Sequence, residues 1–361
     1  MNEIFKPKNV IMYNKNGNNR ILIIKTQIGK GAMGHIYDGV YIDDLNNPKR
    51  VAIKHITFQL NNSDNEDAFK NEISIFEQLA QYENPMSVKF YDYVFNENVE
   101  GYIIMEHIQN SITIYELVEL YKNNNTKPTS YVILTITINL LKAIQAIHNS
   151  AVIHKDISPK NVMVNANDMS VKLIDYELSC KIINDRCKII RQATTVQYAS
   201  AEYLRALQNG ETEIDSQMGK NLDLYGVASI FYLLMHLKNP KNDIDVSDVN
   251  KFIKEMENMN MPCEYVNTDM SFIDMKKMCD IVTSMVDKNS VKRMELNKVL
   301  EELNAIYVTL DKNVNIPHTA HITDISLEEQ AVTLELSGGN RNVIKLDKNN
   351  MDVLRKIMTK N

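Results

Sequence analysis

A chain of 361 residues, 44% hydrophobic and 24% charged, has the balance of a globular protein, which excludes a disordered or fibrous one and leaves room for about two domains or one large bilobal unit. The formal net charge of −6, with no long Lys/Arg run, argues against a nucleic-acid-coating surface and suits a protein that meets a polyanionic ligand together with metal ions. The N-terminus lacks the apolar stretch of a signal peptide, and no window reaches the ~18 uninterrupted apolar residues of a membrane span.

The nearest apolar window, 224–235, follows Asp223 and reads as a buried core helix. Cys180, Cys187, Cys263 and Cys279 form no C-x-x-C pair and have no histidine at ligand spacing. The expectation is no zinc site and reduced thiols in a cytoplasmic protein.

In chain order, residues 1–19 are polar and Asn-rich, a loosely held lead-in. Residues 21–28 and 35–42 alternate as strands around a glycine-bearing turn, and a third strand, 50–58, follows Asn46, Asn47 and Pro48. Residues 67–81 have helical spacing, with Phe69, Ile73, Phe76 and Leu79 on one side. Strands at 87–95 and 102–107 complete an antiparallel sheet. Beyond Ile108 the chain turns mainly helical, with helices over 131–149, 222–237 and 272–286 and polar loops at 123–130 and 239–248. After about residue 309 come a hairpin over 331–346, turning at Ser337, Gly338, Gly339 and Asn340, and a short helix from Met351. The fold class is α+β and bilobal: a small antiparallel β lobe with one helix (20–108), a large mainly α lobe (109–309), and a C-terminal appendage (310–361) of unknown role.

Three motifs carry the chemistry. Gly29, Lys30, Gly31, Ala32, Met33 and Gly34 form G-x-G-x-x-G between two strands. Glycines let backbone N–H groups approach phosphate oxygens, although a generic glycine hairpin fits this string equally well. On the next strand, Lys54 in Val51-Ala52-Ile53-Lys54 stands on an apolar inner face and needs a partner, for which Glu72 on the following helix is placed. Finally, His154-Lys155-Asp156-Ile157-Ser158-Pro159-Lys160-Asn161 is followed by a strand and Asp175-Tyr176-Glu177. Asp156 can orient an attacking hydroxyl and accept its proton. Asn161 and Asp175 offer hard oxygen ligands to Mg²⁺.

Taken together and in this order, these motifs resemble those of the protein kinase family over roughly residues 20–305, and the GAMGHIY flap is similar to that of bacterial eukaryotic-like serine/threonine kinases. The resemblance implies an ATP- and Mg²⁺-dependent enzyme acting on protein substrates. It implies that Ile36, Ala52 and Met163 sandwich adenine, with Met105 behind them and the backbone of Glu106 and Ile108 bonding the base. It further implies a spine of Phe76, Phe90, His154 and Tyr176, an activation segment ending at Glu202 paired with Arg293, and Asp223 holding the catalytic loop. His148 and His154 read as core histidines.

Three departures accompany the match. Lys155 replaces the arginine before the catalytic aspartate and can meet an activation-segment phosphate only as a point charge. Ser158 stands where serine/threonine kinases carry lysine, while Lys160 stands where tyrosine kinases place arginine and could contact the transferring phosphate. Thr195 matches the threonine of serine/threonine kinases and favours that class. Glu177 replaces the glycine of D-F-G, and Asp-Tyr-Glu also resembles a motif of choline and aminoglycoside phosphotransferases. A small-molecule phosphotransferase and a non-catalytic scaffold are the alternatives. The activation segment and the Asp223 helix favour the protein kinase over the first, and the retained Lys54, Asp156, Asn161 and Asp175 favour it over the second. Oligomeric state is not read from the sequence.

Overall fold

The computed structural model describes residues 10–313 except 16, 32–33, 44–46, 59–63, 83, 240–250, 252, 255–270 and 288–291, together with the backbone of three later strands. Ala32, Met33, Cys263, the turn at 337–340, most of the 239–248 loop and the helix expected from Met351 lie outside the described residues.

The small lobe is an antiparallel sheet of six strands: β1 (Val10–Lys15), β2 (Asn18–Lys30), β3 (Gly34–Ile42), β4 (Pro48–Thr57), β5 (Phe90–Asn96) and β6 (Glu100–Glu106), in the order β1-β2-β3-β4-β6-β5. Its first strand corrects part of the lead-in: residues 10–15 pair with β2 in a regular register from Val10↔Ile23 to Lys15↔Asn18. The reason is Asp92, fully buried. It accepts from Tyr13 at 2.7 Å and Tyr41 at 3.1 Å and pairs with Lys15 and Arg20. Burial alone would raise this carboxyl; hydrogen bonds from Lys15, Tyr13 and Arg20 outweigh it and hold it below the usual range.

Helix α1 (Asp64–Ala80) begins with Asp64, Glu66 and Asp67 at its positive end and buries Phe69, Ile73, Phe76 and Leu79, with Glu72 among them.

The large lobe contains α2 (Ile114–Asn123), α3 (Ser130–Asn149), α4 (Ala201–Gln208), α5 (Ser216–His236), α6 (Phe272–Met285) and α7 (Leu296–Asn313). Thr113 and Glu116 form a capping box that starts α2, and Asp215 caps α5 by accepting from the Met218 amide. Among the described residues α3 is the helix long and apolar enough to cross a membrane. Its apolar side chains are instead buried in the core, where it packs on α5 and α7.

Short strands fasten the loops of this lobe, and of these the sequence reading had only the one before Asp175, at 171–174. β7 (Ser111–Thr113), β9 (Val162–Asn165) and β10 (Val171–Leu173) form one small sheet. β8 (Val152–Ile153), β11 (Cys180–Ile183), β12 (Arg186–Lys188) and β13 (Glu213–Asp215) form another.

The second sheet overturns the expectation of reduced thiols. Cys180 and Cys187 are joined in a disulfide, because the β11–β12 hairpin sets their Cα atoms 5.7 Å apart. Cys279 is disulfide-bonded as well.

In the appendage, β14 (Ala320–Ser326), β15 (Ala331–Leu336) and β16 (Arg341–Lys345) form an antiparallel sheet; β15 and β16 are the expected hairpin, and β14 is an addition to it.

Candidate active site

Alternation along β4 turns Val51 and Ile53 into one core cluster and Ala52, Lys54 and Ile56 toward the other face. Lys54 is 3% exposed. Its Nζ donates to Glu72 Oε1 at 3.0 Å, to Glu72 Oε2 at 2.8 Å and to Asp175 Oδ1 at 2.8 Å. The last contact joins residues 121 apart in sequence and closes the cleft between the lobes. A buried ammonium is tolerated only with partners of this kind. Burial acts to lower the Lys54 pKa, and the carboxylates of Asp175, Glu72 and Glu177 outweigh it, so the group stays charged. For Asp175 burial acts upward, and the charge and hydrogen bond of Lys54 hold it below the usual range. Burial pushes Glu72 up to about 7 against the opposing pull of Lys54. Asp175 has φ of +63°, a left-handed turn that an Asx residue tolerates at the end of β10.

The loop from His154 to Asn161 hangs from α5. Asp223, fully buried, accepts the His154 amide at 3.0 Å and the Lys155 amide at 2.8 Å, and His148 Nε2 lies 2.8 Å from it. Gly226 lets the loop come this close, since a Cβ there would stand 2.6 Å from the Ile157 carbonyl oxygen. Both oxygens of Asp156 are held: Oδ1 accepts the Thr195 amide at 2.8 Å, and Oδ2 accepts Asn161 Nδ2 at 2.8 Å. Asn161 Nδ2 also donates to the Asp156 carbonyl at 2.9 Å, which leaves Asn161 Oδ1 as its metal-capable atom.

Around this centre the flap closes with Gly31 N–H donating to the Gly34 carbonyl at 2.9 Å. Gly29 pairs with Ile36 and Lys30 with His35 across β2–β3, and a Cβ on Gly34 would overlap the His55 carbonyl oxygen. Ile36 stands opposite Lys54, Ala52 opposite Met105, and Met163 opposite Lys172, each half-buried except Met105 and Lys54, which are buried. The Glu106 amide donates to the Lys89 carbonyl at 2.8 Å, and its carboxylate accepts from Lys172 Nζ at 2.5 Å; Ile108 packs on the main core.

The spine is stacked. Phe76 meets Phe90 at 5.3 Å and Tyr176 at 5.4 Å, and Tyr176 meets His154 at 5.0 Å between ring centroids. Arg293 pairs with both oxygens of Glu202.

Not every expected residue converges. Lys160 is exposed, its Nζ 5.3 Å from the centroid of the Tyr115 ring. Lys155 is buried and donates to the Lys188 carbonyl at 2.7 Å, a backbone contact in the place where a phosphate was considered. Thr195, which the resemblance matched to a threonine bonded to the catalytic loop, does meet that loop, and it does so through its amide, which donates to Asp156. Arg191, which donates to Glu177 Oε1 at 2.5 Å, was missed, since nothing in its neighbours' spacing marks it.

The donor set suits a hard cation. Asp175 and Asn161 supply one carboxylate and one amide oxygen, and the Ile174 amide bonds the Asn161 carbonyl at 3.0 Å, tying the two segments together. Among the described residues no group of three or more His, Cys, Asp or Glu could hold a metal ion alone. Mg²⁺, which characteristically combines one or two carboxylates with substrate phosphates, fits such a pair.

The chain matches the model of the protein kinase domain over residues 22–303. It is 24% identical over 291 residues to the dual specificity protein kinase TTK of Mus musculus, covering 78% of this chain and 31% of the relative. It is 30% identical over 189 residues to the serine/threonine-protein kinase CLA4 of Candida albicans, covering 52% and 18%. It is 28% identical over 218 residues to a probable serine/threonine-protein kinase of Streptomyces coelicolor, covering 59% and 30%. The chain thus spans less than a third of the length of each of these relatives.

Proposed function

We propose, from the premise that this chain belongs to the protein kinase family, that it transfers the γ-phosphoryl group of ATP to serine and threonine hydroxyls of protein substrates. The observation that carries this reading is the placement of Lys54 Nζ at 2.8 Å from both Glu72 and Asp175. An ammonium so held can receive the α- and β-phosphates as ATP enters under the flap. Asp175 and Asn161 Oδ1 would hold Mg²⁺, which supplies charge neutralisation across the phosphates. Asp156, fixed from both sides, aims its carboxylate at the incoming hydroxyl and accepts its proton as in-line transfer proceeds. Positioning and electrostatics carry most of the rate.

Serine/threonine preference is supported by the match of Thr195 to the threonine of serine/threonine kinases and by the likeness to serine/threonine-protein kinases of Candida albicans and Streptomyces coelicolor. The dual specificity of the mouse relative makes phosphoamino-acid analysis the deciding measurement. The Glu202–Arg293 pair and the Asp223 anchor support protein rather than small-molecule substrates. The expectation of a cytoplasmic setting loses its cysteine argument with the disulfide at Cys180 and Cys187.

The test is incubation with Mg²⁺ and labelled ATP, alone, with generic proteins, and with choline. Label is expected in protein; label only in choline, or in nothing, overturns the reading. Asp156→Asn and Lys54→Met are expected to fold and to lose at least ~100-fold in kcat, the scale of losing a general base or a transition-state charge contact. Wild-type turnover in either variant refutes the role assigned to that residue.

A further inference from the structure

Glu177 stands where the kinase motif has glycine, and its side chain points into the site. It is 6% exposed. Oε2 lies 3.8 Å from Lys54 Nζ, and Oε1 accepts from Arg191 Nη1 at 2.5 Å. Arg191 lies beyond the β11–β12 hairpin, four residues before Thr195, whose amide holds Asp156. Lys54 therefore faces three carboxylates, Glu72, Asp175 and Glu177. Among these five groups the positive charges are Lys54 and Arg191 alone. An incoming polyphosphate brings further negative charge to the same ammonium. A third carboxylate left without its own counter-ion would compete for Lys54 and repel the nucleotide, strongly so in a site with little solvent.

We propose that Arg191 is a positioning residue for nucleotide binding. By drawing the Glu177 carboxylate toward the activation segment and neutralising it, Arg191 leaves Lys54 divided between Glu72 and Asp175 and open to the phosphates of ATP. Arg191 acts only through Glu177. The pair also ties the ATP site to the segment that holds Asp156, with a carboxylate of the chain itself as the link. This proposal rests on the kinase reading above.

The experiment uses the full chain and three variants, Arg191→Ala, Glu177→Gln and the double variant. It reads KM for ATP, kcat, the dissociation constant of a fluorescent ATP analogue with Mg²⁺, and the thermal midpoint. Arg191→Ala is expected to raise KM and the analogue's dissociation constant on the order of 10-fold, below the full cost of an unpaired buried charge because Lys54 stays 3.8 Å from Glu177, with a smaller change in kcat. The double variant is expected to return both to within about 3-fold of wild type, because the amide that replaces Glu177 carries no charge to compete for Lys54. A pair that served only as a strap would leave the double variant as impaired as Arg191→Ala, and that result overturns the proposal. So does an Arg191→Ala variant with wild-type nucleotide affinity. Should Arg191→Ala not fold, Arg191→Gln is expected to reproduce the weakened binding and Arg191→Lys to restore it; equal affinity in those two is equally fatal. Analogue binding separates the two readings: a chain that binds nucleotide in this pattern without transferring phosphate keeps the positioning role and loses the kinase activity. A wild-type chain that binds no nucleotide overturns both.

Discussion

Lys155 shows how far one residue can depart from its motif while the loop around it keeps its shape. It is 2% exposed, has φ of +64°, and its amide bonds Asp223 while its Nζ caps the Lys188 carbonyl. Burial pushes the ammonium down to about 7, against the opposing attraction of Asp223. The unfolded chain holds that proton up to about 10.4, the ordinary lysine value. Between those values the unfolded state binds more protons, so stability rises with pH through this window, and the full burial penalty is present below about 7. In urea denaturation, the unfolding free energy of wild type relative to Lys155→Met should therefore climb from pH 7 to pH 10, by at most roughly 1.4 kcal/mol per pH unit. A difference that stays flat over that range refutes the buried, easily discharged lysine. The contact with Lys188 was not legible in the sequence, which gave only the residue type. By contrast Lys54, Glu72, Asp156, Asn161 and Asp175 stood out in the sequence by residue type and order, and the contacts of Lys54 with Glu72 and Asp175 and of Asp156 with Asn161 follow from that order.

At the level of elements, legibility followed the range of the forces involved. Helices α1, α3 and α6 were read to within a few residues, since periodic burial is written locally; α5 begins six residues earlier than expected, at Ser216. The two- and three-residue strands β7, β8, β12 and β13 carry no period, and their pairing is decided by tertiary neighbours. Strand β1 was hidden for a related reason: its polar side chains belong to Asp92, 77 residues beyond Lys15. The disulfide was hidden by ambiguity, since a separation of 7 residues suits a hairpin only once β11 and β12 are known to pair. Both sulfur-bearing side chains are buried beside Ile153, Leu222 and Tyr225, so alanines at these positions remain compatible with the core. We expect Cys180→Ala/Cys187→Ala to keep the fold and to lose about 2–3 kcal/mol, the loop-entropy value for a short closed loop, read from the urea midpoint without reductant. With reductant, which also opens the bond at Cys279 in both proteins, variant and wild type should reach a common midpoint. A variant as stable as oxidised wild type would show that the hairpin is held by packing alone.

For the molecule as a whole, the question is what joins the two lobes into one unit. The main core cluster runs through both, from Phe69 and Phe76 of α1 to Tyr176 and on to Leu224 and Val227 of α5. Phe76 is the junction: 1% exposed, it touches the rings of Phe90 and Tyr176, and it lies one helical turn from Glu72. Tyr176 is fixed in turn by Ser87 at 2.7 Å and follows Asp175 directly. Removing the Phe76 ring should therefore do two things. The cavity should cost about 3–5 kcal/mol of stability. The helix, freed from the spine, should also let Glu72 drift from Lys54, so that kcat/KM falls by on the order of 10-fold in molecules that are still folded. Leu79→Ala supplies the control, because Leu79 lies on the same buried face of α1, 4% exposed, one turn beyond Phe76. Its loss should cost about 2–5 kcal/mol, with kcat/KM per folded molecule near wild type. Measuring both variants below their melting range, with the folded fraction taken from urea curves, separates stability from alignment. Equal activity losses in the two would mean that α1 is held by general packing, and that the ring stack has no part in setting the distance between Glu72 and Lys54.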